Sequence, residues 1–167
     1  VVEKTIQNHL KENSNALVIG CGNSPMSHEM NEKYFNEVVS IDISPNVIQE
    51  MQEKYKDKKE LKWILMDCSE LDFPDKTFDY VFDKGTFDAI SCGVEGDTII
   101  DKSIKEIYRV LKPGGKFIVI TYSPPSLRLT SMRKTKNDFF YHPPKMIGKF
   151  GNAHFFYILE KVVPKTE

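Results

Sequence analysis

Short, mostly apolar runs recur at residues 16–19, 38–41, 61–65 and 80–82, and each stops within two residues of a glycine or an aspartate: Gly20, Asp42, Asp67 and Asp83. Runs of this kind belong to strands buried on both faces of a parallel sheet, because a half-exposed strand would alternate apolar with polar residues. A fifth run spans 116–122, and an aromatic-rich run spans 155–159. Helical patterns lie between them. They cover 25–34, then 46–55 with Val47, Ile48, Met51 and Tyr55 on one face, then 99–111 with Ile100, Ile104, Ile107 and Leu111 on one face. Residues 2–12 add an amphipathic helix through Val2, Ile6, His9 and Leu10. The order β-α-β-α-β-(α)-β-α-β predicts an α/β fold, a doubly wound and mostly parallel sheet. The run at 155–159 is expected to return as an antiparallel strand at or near an edge. The pattern assigns no strand within 127–152.

A chain of 167 residues has the size of one domain, 1–167, with a core that needs no staples. With 23 Lys and Arg against 24 Asp and Glu it is close to neutral, which removes the general case for a strongly basic nucleic-acid binder. The charges are unevenly spread: 10 basic and 19 acidic residues in 1–100, but 13 basic and 5 acidic in 101–167, a weak pointer to partners. Within 128–149, Arg128, Arg133, Lys134, Lys136, Lys145 and Lys149 interleave with Phe139, Phe140 and Tyr141. That stretch either grips RNA by phosphate contact and stacking or forms a substrate-covering segment with a solvated face. The near-neutral chain favours the second.

Cys21, Cys68 and Cys92 are odd in number and lack C-x-x-C spacing, so neither a disulfide framework nor a zinc knuckle is expected. The four histidines show no ligand spacing, and no metal is expected. No apolar run approaches the ~18–20 residues of a membrane span, and residues 1–6 lack the layout of a signal peptide. A cytoplasmic protein with no membrane association is the expectation.

Ligands of such sheets bind at the carboxyl ends of the strands. After the first run comes Gly20-Cys21-Gly22-Asn23-Ser24-Pro25, where the glycines let the backbone turn and approach a ligand, and Ser24 suits the cap of the next helix. The nicotinamide-dinucleotide fingerprint would need glycine where Pro25 stands. Asp42, twenty residues after Gly22, has the spacing at which a carboxylate reaches ribose hydroxyls. Asp67 is set to accept from the amine of an adenine while an apolar neighbour packs on the ring. A lone aspartate after a strand is usually a cap or turn residue. Three successive tips delivering carboxylates make a stronger pattern. Without a G-x-x-x-x-G-K-[ST] motif or a basic residue in the first loop, the ligand reads as a nucleoside lacking a polyphosphate.

Residues 16–24 (Ala-Leu-Val-Ile-Gly-Cys-Gly-Asn-Ser), 40–44 (Ser-Ile-Asp-Ile-Ser), Asp67 and 109–117 (Arg-Val-Leu-Lys-Pro-Gly-Gly-Lys-Phe) together resemble the class I S-adenosylmethionine-dependent methyltransferases, over about 16–159. Residues 71–90, with Asp83-Lys84-Gly85-Thr86-x-Asp88-Ala89 as the most distinctive element, resemble a narrower group. That group methylates lysines, and in one case the amino terminus, of translation elongation factor 1-alpha.

The resemblance implies a Rossmann-like fold, with S-adenosylmethionine as cofactor and S-adenosylhomocysteine as product. It implies that Gly20, Cys21, Gly22 and Asn23 hold the methionine portion, Asp42 and Ile43 the ribose, and Asp67 and Cys68 the adenine. It places Asp83 at the cofactor and acceptor junction. The acceptor it favours is a protein lysine, with a small molecule or RNA, or a catalytically silent binding module, as alternatives. Tyr122 either lines the acceptor pocket or belongs to the core, and Lys84 either pairs with Asp83 or caps the following loop. The cluster Asp67, Glu70, Asp72, Asp75, Asp79, Asp83 and Asp88 either attracts a lysine cation or is ordinary solvated surface.

Overall fold

The computed structural model describes residues 7–135, 137–148 and 153–163. Its sheet opens with two βα units and a third strand: β1 (Ser14–Ile19), α1 (Met26–Lys33), β2 (Phe35–Asp42), α2 (Pro45–Lys54) and β3 (Leu61–Leu65). β4 (Phe78–Lys84) leads into two helices, α3 (Thr86–Ile90) and α4 (Gly96–Val110), before β5 (Leu111–Thr121). The chain closes with α5 (Pro125–Arg133), β6 (Phe139–Tyr141), β7 (Lys145–Ile147) and β8 (His154–Lys161). The strand order is β3-β2-β1-β4-β5-β8-β6, with β7 also on β8. β1 to β5 run parallel, and β8 runs antiparallel to β5, β6 and β7. The expected doubly wound sheet is what the chain forms.

Side-chain parity along the strands divides the core in two. Leu17, Ile19, Val39, Ile41, Val81, Phe117, Val119, Tyr157 and Leu159 face one layer, and it is there that α4 buries Ile100, Ile104, Ile107 and Val110. Ala16, Val18, Val38, Tyr80, Phe82, Ile118, Ile120, Phe156 and Ile158 face the other, covered by Met30 of α1 and Ile48 and Met51 of α2. The α4 quartet repeats at helical spacing and is fully buried. Each such aliphatic side chain contributes about 1.5–3 kcal/mol by leaving water. α2 starts where Ser44 Oγ accepts from the Val47 N–H (3.4 Å) and Pro45 fills the first turn.

The structure corrects three details. Between β3 and β4 there is no helix but an irregular loop, clamped from α4. There Arg109 donates to the carbonyls of Leu71 and Phe73 (2.7 Å each), and Glu106 accepts from the Leu71 N–H (2.9 Å). Residues 127–152, left without a strand, carry α5, β6 and β7. β8 lies one strand in from the edge, as expected. Pro25, not Ser24, occupies the cap position of α1; the Ser24 hydroxyl instead accepts from the Met26 N–H (3.3 Å). The expected helix at 2–12 falls partly on residues 1–6, outside the described residues.

Candidate active site

A cavity of about 340 Å³ lies along the carboxyl ends of β1 to β4, lined by Gly20, Asp42, Ile43, Met66, Asp67, Cys68, Lys84 and the start of α3 and α4. Its base is tied together by the backbone. Gly22 N–H donates to Asp42 Oδ2 and Ser44 N–H to Asp42 Oδ1, both at 2.9 Å, while Cys21 N–H meets the Ile41 carbonyl at 3.0 Å. One carboxylate thus fixes the glycine loop to the tip of β2. Since a carboxylate has about four acceptor positions, Asp42 keeps capacity for two further donors. Asp67 is exposed and uses Oδ1 on the Ser69 N–H (2.7 Å), an ordinary turn contact that leaves Oδ2 open. Ile43 is 73% exposed and with Met66 supplies an apolar surface beside these carboxylates.

Gly20, Asp42, Ile43, Asp67 and Cys68 therefore share one pocket, and five other expected site residues do not line it. The Cys21 side chain points into the helix-covered core, where burial, with the Asp42 charge adding to it, pushes its thiol up to about 12. It stays a protonated thiol. Gly22 and Asn23 flank the pocket without lining it. The Cys68 thiol lines the pocket from below against Ser103 Oγ (3.3 Å), and burial raises its pKa as well.

Asp83 is the main correction. It lies in register with Ile19, on the face covered by α3 and α4, and is fully buried. Its carboxylate accepts from the N–H groups of Thr86 (2.7 Å) and Phe87 (3.3 Å), so it caps α3 instead of facing an acceptor. Lys84 does not pair with it. Burial raises the Asp83 carboxyl to about 6, against the Thr86 and Phe87 hydrogen bonds that favour its anion. A folded-state value above the ordinary 3.8 means the folded protein holds this proton more tightly, so this group's contribution to stability falls as pH rises from 3.8 to about 6. Urea unfolding of wild type and Asp83→Asn at pH 4 and pH 7 should expose the difference. Wild type should lose about 1–3 kcal/mol relative to the variant over that range; parallel profiles would mean that Asp83 titrates normally.

Tyr122 follows the last residue of β5 and is 66% exposed, its ring against His154 (centroids 4.2 Å apart). It is not a core residue, and it stands outside the pocket, held by its N–H on Asp88 Oδ2 (3.2 Å). The acidic cluster is largely spent internally. Asp75 pairs with Arg109, Asp79 with Lys112 and Asp88 with Arg128. The basic and aromatic stretch is spent likewise: Arg128 is buried, Lys134 pairs with Asp97, Arg133 sits over Tyr141 and Phe139 is core. Lys136 and Lys149 lie outside the described residues.

Sequence reasoning missed the pocket wall made by Gly85, Thr86, Ala89, Ile90 and Ile99. The available signal was Asp83 standing three residues before Thr86, a capping arrangement that starts a helix immediately at the tip of β4.

A family model described as "Methyltransferase domain" matches residues 17–119. The curated protein EEF1A lysine methyltransferase 4 of Mus musculus is 38% identical over 154 residues, 87% of this chain and 59% of that protein. The eEF1A lysine and N-terminal methyltransferase of Homo sapiens is 35% identical over 119 residues, 70% of this chain and 17% of that protein. The chain thus spans less than two thirds of the length of the first of these relatives and about a sixth of the second. Among solved structures, a SAM-dependent methyltransferase from Methanosarcina mazei superposes with a TM-score of 0.75 at 20% identity, covering 96% of this chain and 98% of the other. The N-methyltransferase NodS from Bradyrhizobium japonicum, in complex with S-adenosyl-L-homocysteine, superposes with a TM-score of 0.76 at 14% identity, covering 96% and 83%.

Proposed function

Because this chain belongs to the family of methyltransferase domains, we propose that it transfers a methyl group from S-adenosylmethionine to a protein lysine, with translation elongation factor 1-alpha as the acceptor its relatives' names specify. The observation that carries the reading is the run of strand tips, in which Gly20, the first residue of the glycine loop, and two carboxylates with open acceptor positions, Asp42 and Asp67, line one cavity beside the apolar Ile43 and Met66. These groups suit an adenosyl ligand: acceptors for ribose hydroxyls and an adenine amine, apolar surface for the ring, and backbone at Gly20 close enough to meet the amino-acid portion. We place the protein in the cytoplasm, a reducing compartment that suits cysteines left as thiols. Among the described residues no helix is long and apolar enough to cross a membrane.

The bound cofactor supplies a methyl group already activated by its sulfonium, so the protein's own work is to hold, orient and exclude water. Asp42 and Asp67 would anchor the nucleoside. Gly20 would set the approach of the amino-acid portion, and Tyr122, exposed at the tip of β5, would meet the acceptor.

Calorimetric titration with S-adenosylhomocysteine, using a nicotinamide dinucleotide as control, tests the cofactor, and mass spectrometry of recombinant elongation factor 1-alpha after incubation tests the acceptor. Binding of the first ligand alone is expected, with a mass gain of one or more methyl groups on a lysine. Asp42→Ala should weaken S-adenosylhomocysteine about 10-fold to 100-fold, since charge-assisted hydrogen bonds of about 1.5–3 kcal/mol are lost. Unchanged affinity would mean the ribose lies elsewhere.

A further inference from the structure

Among the described residues β3 pairs with β2 alone, and so it ends the sheet. A groove of about 430 Å³ beside the end of α2 is lined by Leu61, Trp63 and Ile64 of this strand. Leu61 and Trp63 belong to the layer beneath α2 and Ile64 packs on the opposite one, so the groove follows the strand's edge and not one face of the sheet. The Val38 N–H donates to the Glu60 carbonyl and the Met66 N–H to the Asp42 carbonyl, both at 3.0 Å. Residues 60, 62, 64 and 66 therefore turn their backbone groups to β2, and Leu61, Trp63 and Leu65 turn theirs outward. The Leu61 N–H is taken by the Lys58 carbonyl (3.1 Å), and the Trp63 carbonyl accepts from Gln52 Nε2 (2.8 Å). The Leu61 carbonyl and the Trp63 N–H are left, the acceptor and donor that one residue of an added parallel strand uses.

The side chains along this edge are donors. Lys56, Lys58, Lys59 and Lys62 line the groove, and no carboxylate does. Lys59 has no ion pair among the described residues, while Lys56, Lys58 and Lys62 reach Glu53 (2.8 Å), Glu32 (3.6 Å) and Glu37 (2.5 Å) from exposed positions. Pairs so exposed hold weakly and exchange readily for another carboxylate. Trp63 is 5% exposed, and its buried Nε1–H has no acceptor among the described residues. Lysine and tryptophan side chains only donate, so the groove suits a ligand that accepts. Two copies of this chain meeting at β3 would set lysines against lysines, which opposes self-pairing.

We propose that the open edge of β3 docks an extended acidic segment of a partner protein, which adds to the sheet as a further strand while its carboxylates meet Lys59 and Lys62. Backbone pairing supplies affinity, and the lysines select the partner. The groove shares no lining residue with the pocket at the strand tips, so the inference goes beyond the methyl-transfer reading and does not depend on it.

Trp63 is the chain's one tryptophan, so its emission reports on the groove. The probe is a capped peptide of about ten residues alternating Glu and Val. Calorimetric titration should show saturable binding, accompanied by a shift in Trp63 emission. Two control peptides should bind about ten-fold or more weakly: one alternating Lys and Val, and the acidic peptide with two adjacent central nitrogens methylated, which keeps its charge but blocks both of its edges. Lys59→Glu/Lys62→Glu should weaken the acidic peptide by a similar factor. Both lysines are exposed, so the variant is expected to fold, which circular dichroism would verify. Equal binding of the methylated peptide would reduce the interaction to charge and overturn strand addition. Binding that left Trp63 emission unchanged, or no binding of the acidic peptide below millimolar concentration, would overturn the proposal outright. Oligouridine bound more tightly than the peptide, and lost in the double variant, would assign the groove to nucleic acid instead. A free chain that sedimented as a dimer, and as a monomer in the double variant, would make the edge an interface between copies.

Discussion

Gly20→Val is expected to abolish S-adenosylhomocysteine binding and to destabilise the fold, whereas Gly22→Ala should do much less. Both glycines have left-handed backbone, φ +54 and +52, so a β-branched residue is strained at either by about 1–2 kcal/mol. Their surroundings differ. A Cβ at Gly20 would lie 2.3 Å from Thr86 Oγ1, 2.5 Å from its Cγ2 and 2.9 Å from its Cβ, whereas nothing lies within 4 Å of a Cβ at Gly22. Thr86 cannot easily step aside. Its hydroxyl donates to the Ile19 carbonyl (2.9 Å), and its N–H is held by Asp83 (2.7 Å). Overpacking of this kind costs about 1–3 kcal/mol beyond the backbone strain, and the strain falls on the loop that would meet the ligand. Chemical denaturation and calorimetry on Gly20→Val, Gly22→Ala and the double variant Gly20→Ala/Thr86→Gly check the argument. The double variant should recover part of the stability that Gly20→Ala alone loses. A Gly20→Val protein with wild-type affinity would remove the glycine loop from the site.

The same contact explains why some of this site was legible in the sequence and some was not. The central strands and the pocket carboxylates Asp42 and Asp67 could be read because buried parallel strands are written as mostly apolar runs, and the residues just after such a run are at the ligand-binding edge by geometry. What sequence does not encode is the direction of a side chain at that edge. Asp83 follows Phe82 as Asp42 follows Ile41, yet Asp42 faces the cavity and Asp83 is sealed under α3. The difference lies in the next few residues. Ser44 and Pro45 begin α2 with a cap of their own, so Asp42 is free for Gly22 and the pocket. Gly85 carries no capping side chain, so the Thr86 and Phe87 N–H groups draw on Asp83.

The strands and helix in 127–147 were illegible for another reason. β6 and β7 are three residues each, too short to show a period, and Phe140 and Met146 are exposed within them. α5 hides its assignment by burying an arginine: Arg128 and Met132 point inward while Leu127 is 64% exposed. The charge asymmetry between the two halves of the sequence has a related origin. Asp75, Asp79, Asp88 and Asp97 of the acidic half pair with Arg109, Lys112, Arg128 and Lys134 of the basic half. A feature that reads as a signal to partners is in large part the chain's own internal complementarity.

Of these pairs, Asp88 with Arg128 should matter most, because its guanidinium is 2% exposed while the others lie nearer the surface. Asp88 accepts from Arg128 Nη2 (2.7 Å), from the Thr121 hydroxyl and from the Tyr122 N–H (3.2 Å), joining α3, the tip of β5 and α5 through one carboxylate. Arg128 Nε already lacks a partner, its Nη1 has only a long contact to Ser91 Oγ (3.5 Å), and its charge sits over the Phe87 ring. Asp88→Ala therefore strands a buried cation, at a cost of about 3–5 kcal/mol. For a domain of this size that lowers the melting temperature by roughly 6–20 °C. Arg128→Met should cost less, because Asp88 is 23% exposed and keeps two donors. Adding Arg128→Met to Asp88→Ala should restore stability relative to Asp88→Ala alone, since the stranded charge is then gone. Thermal and urea unfolding of the three variants read this directly. If Asp88→Ala fell within about 0.5 kcal/mol of wild type, as an ordinary surface substitution does, the pair would not be what fixes α3 against β5. The position of Tyr122 at the tip of β5 would then have to be set by its packing on His154 alone.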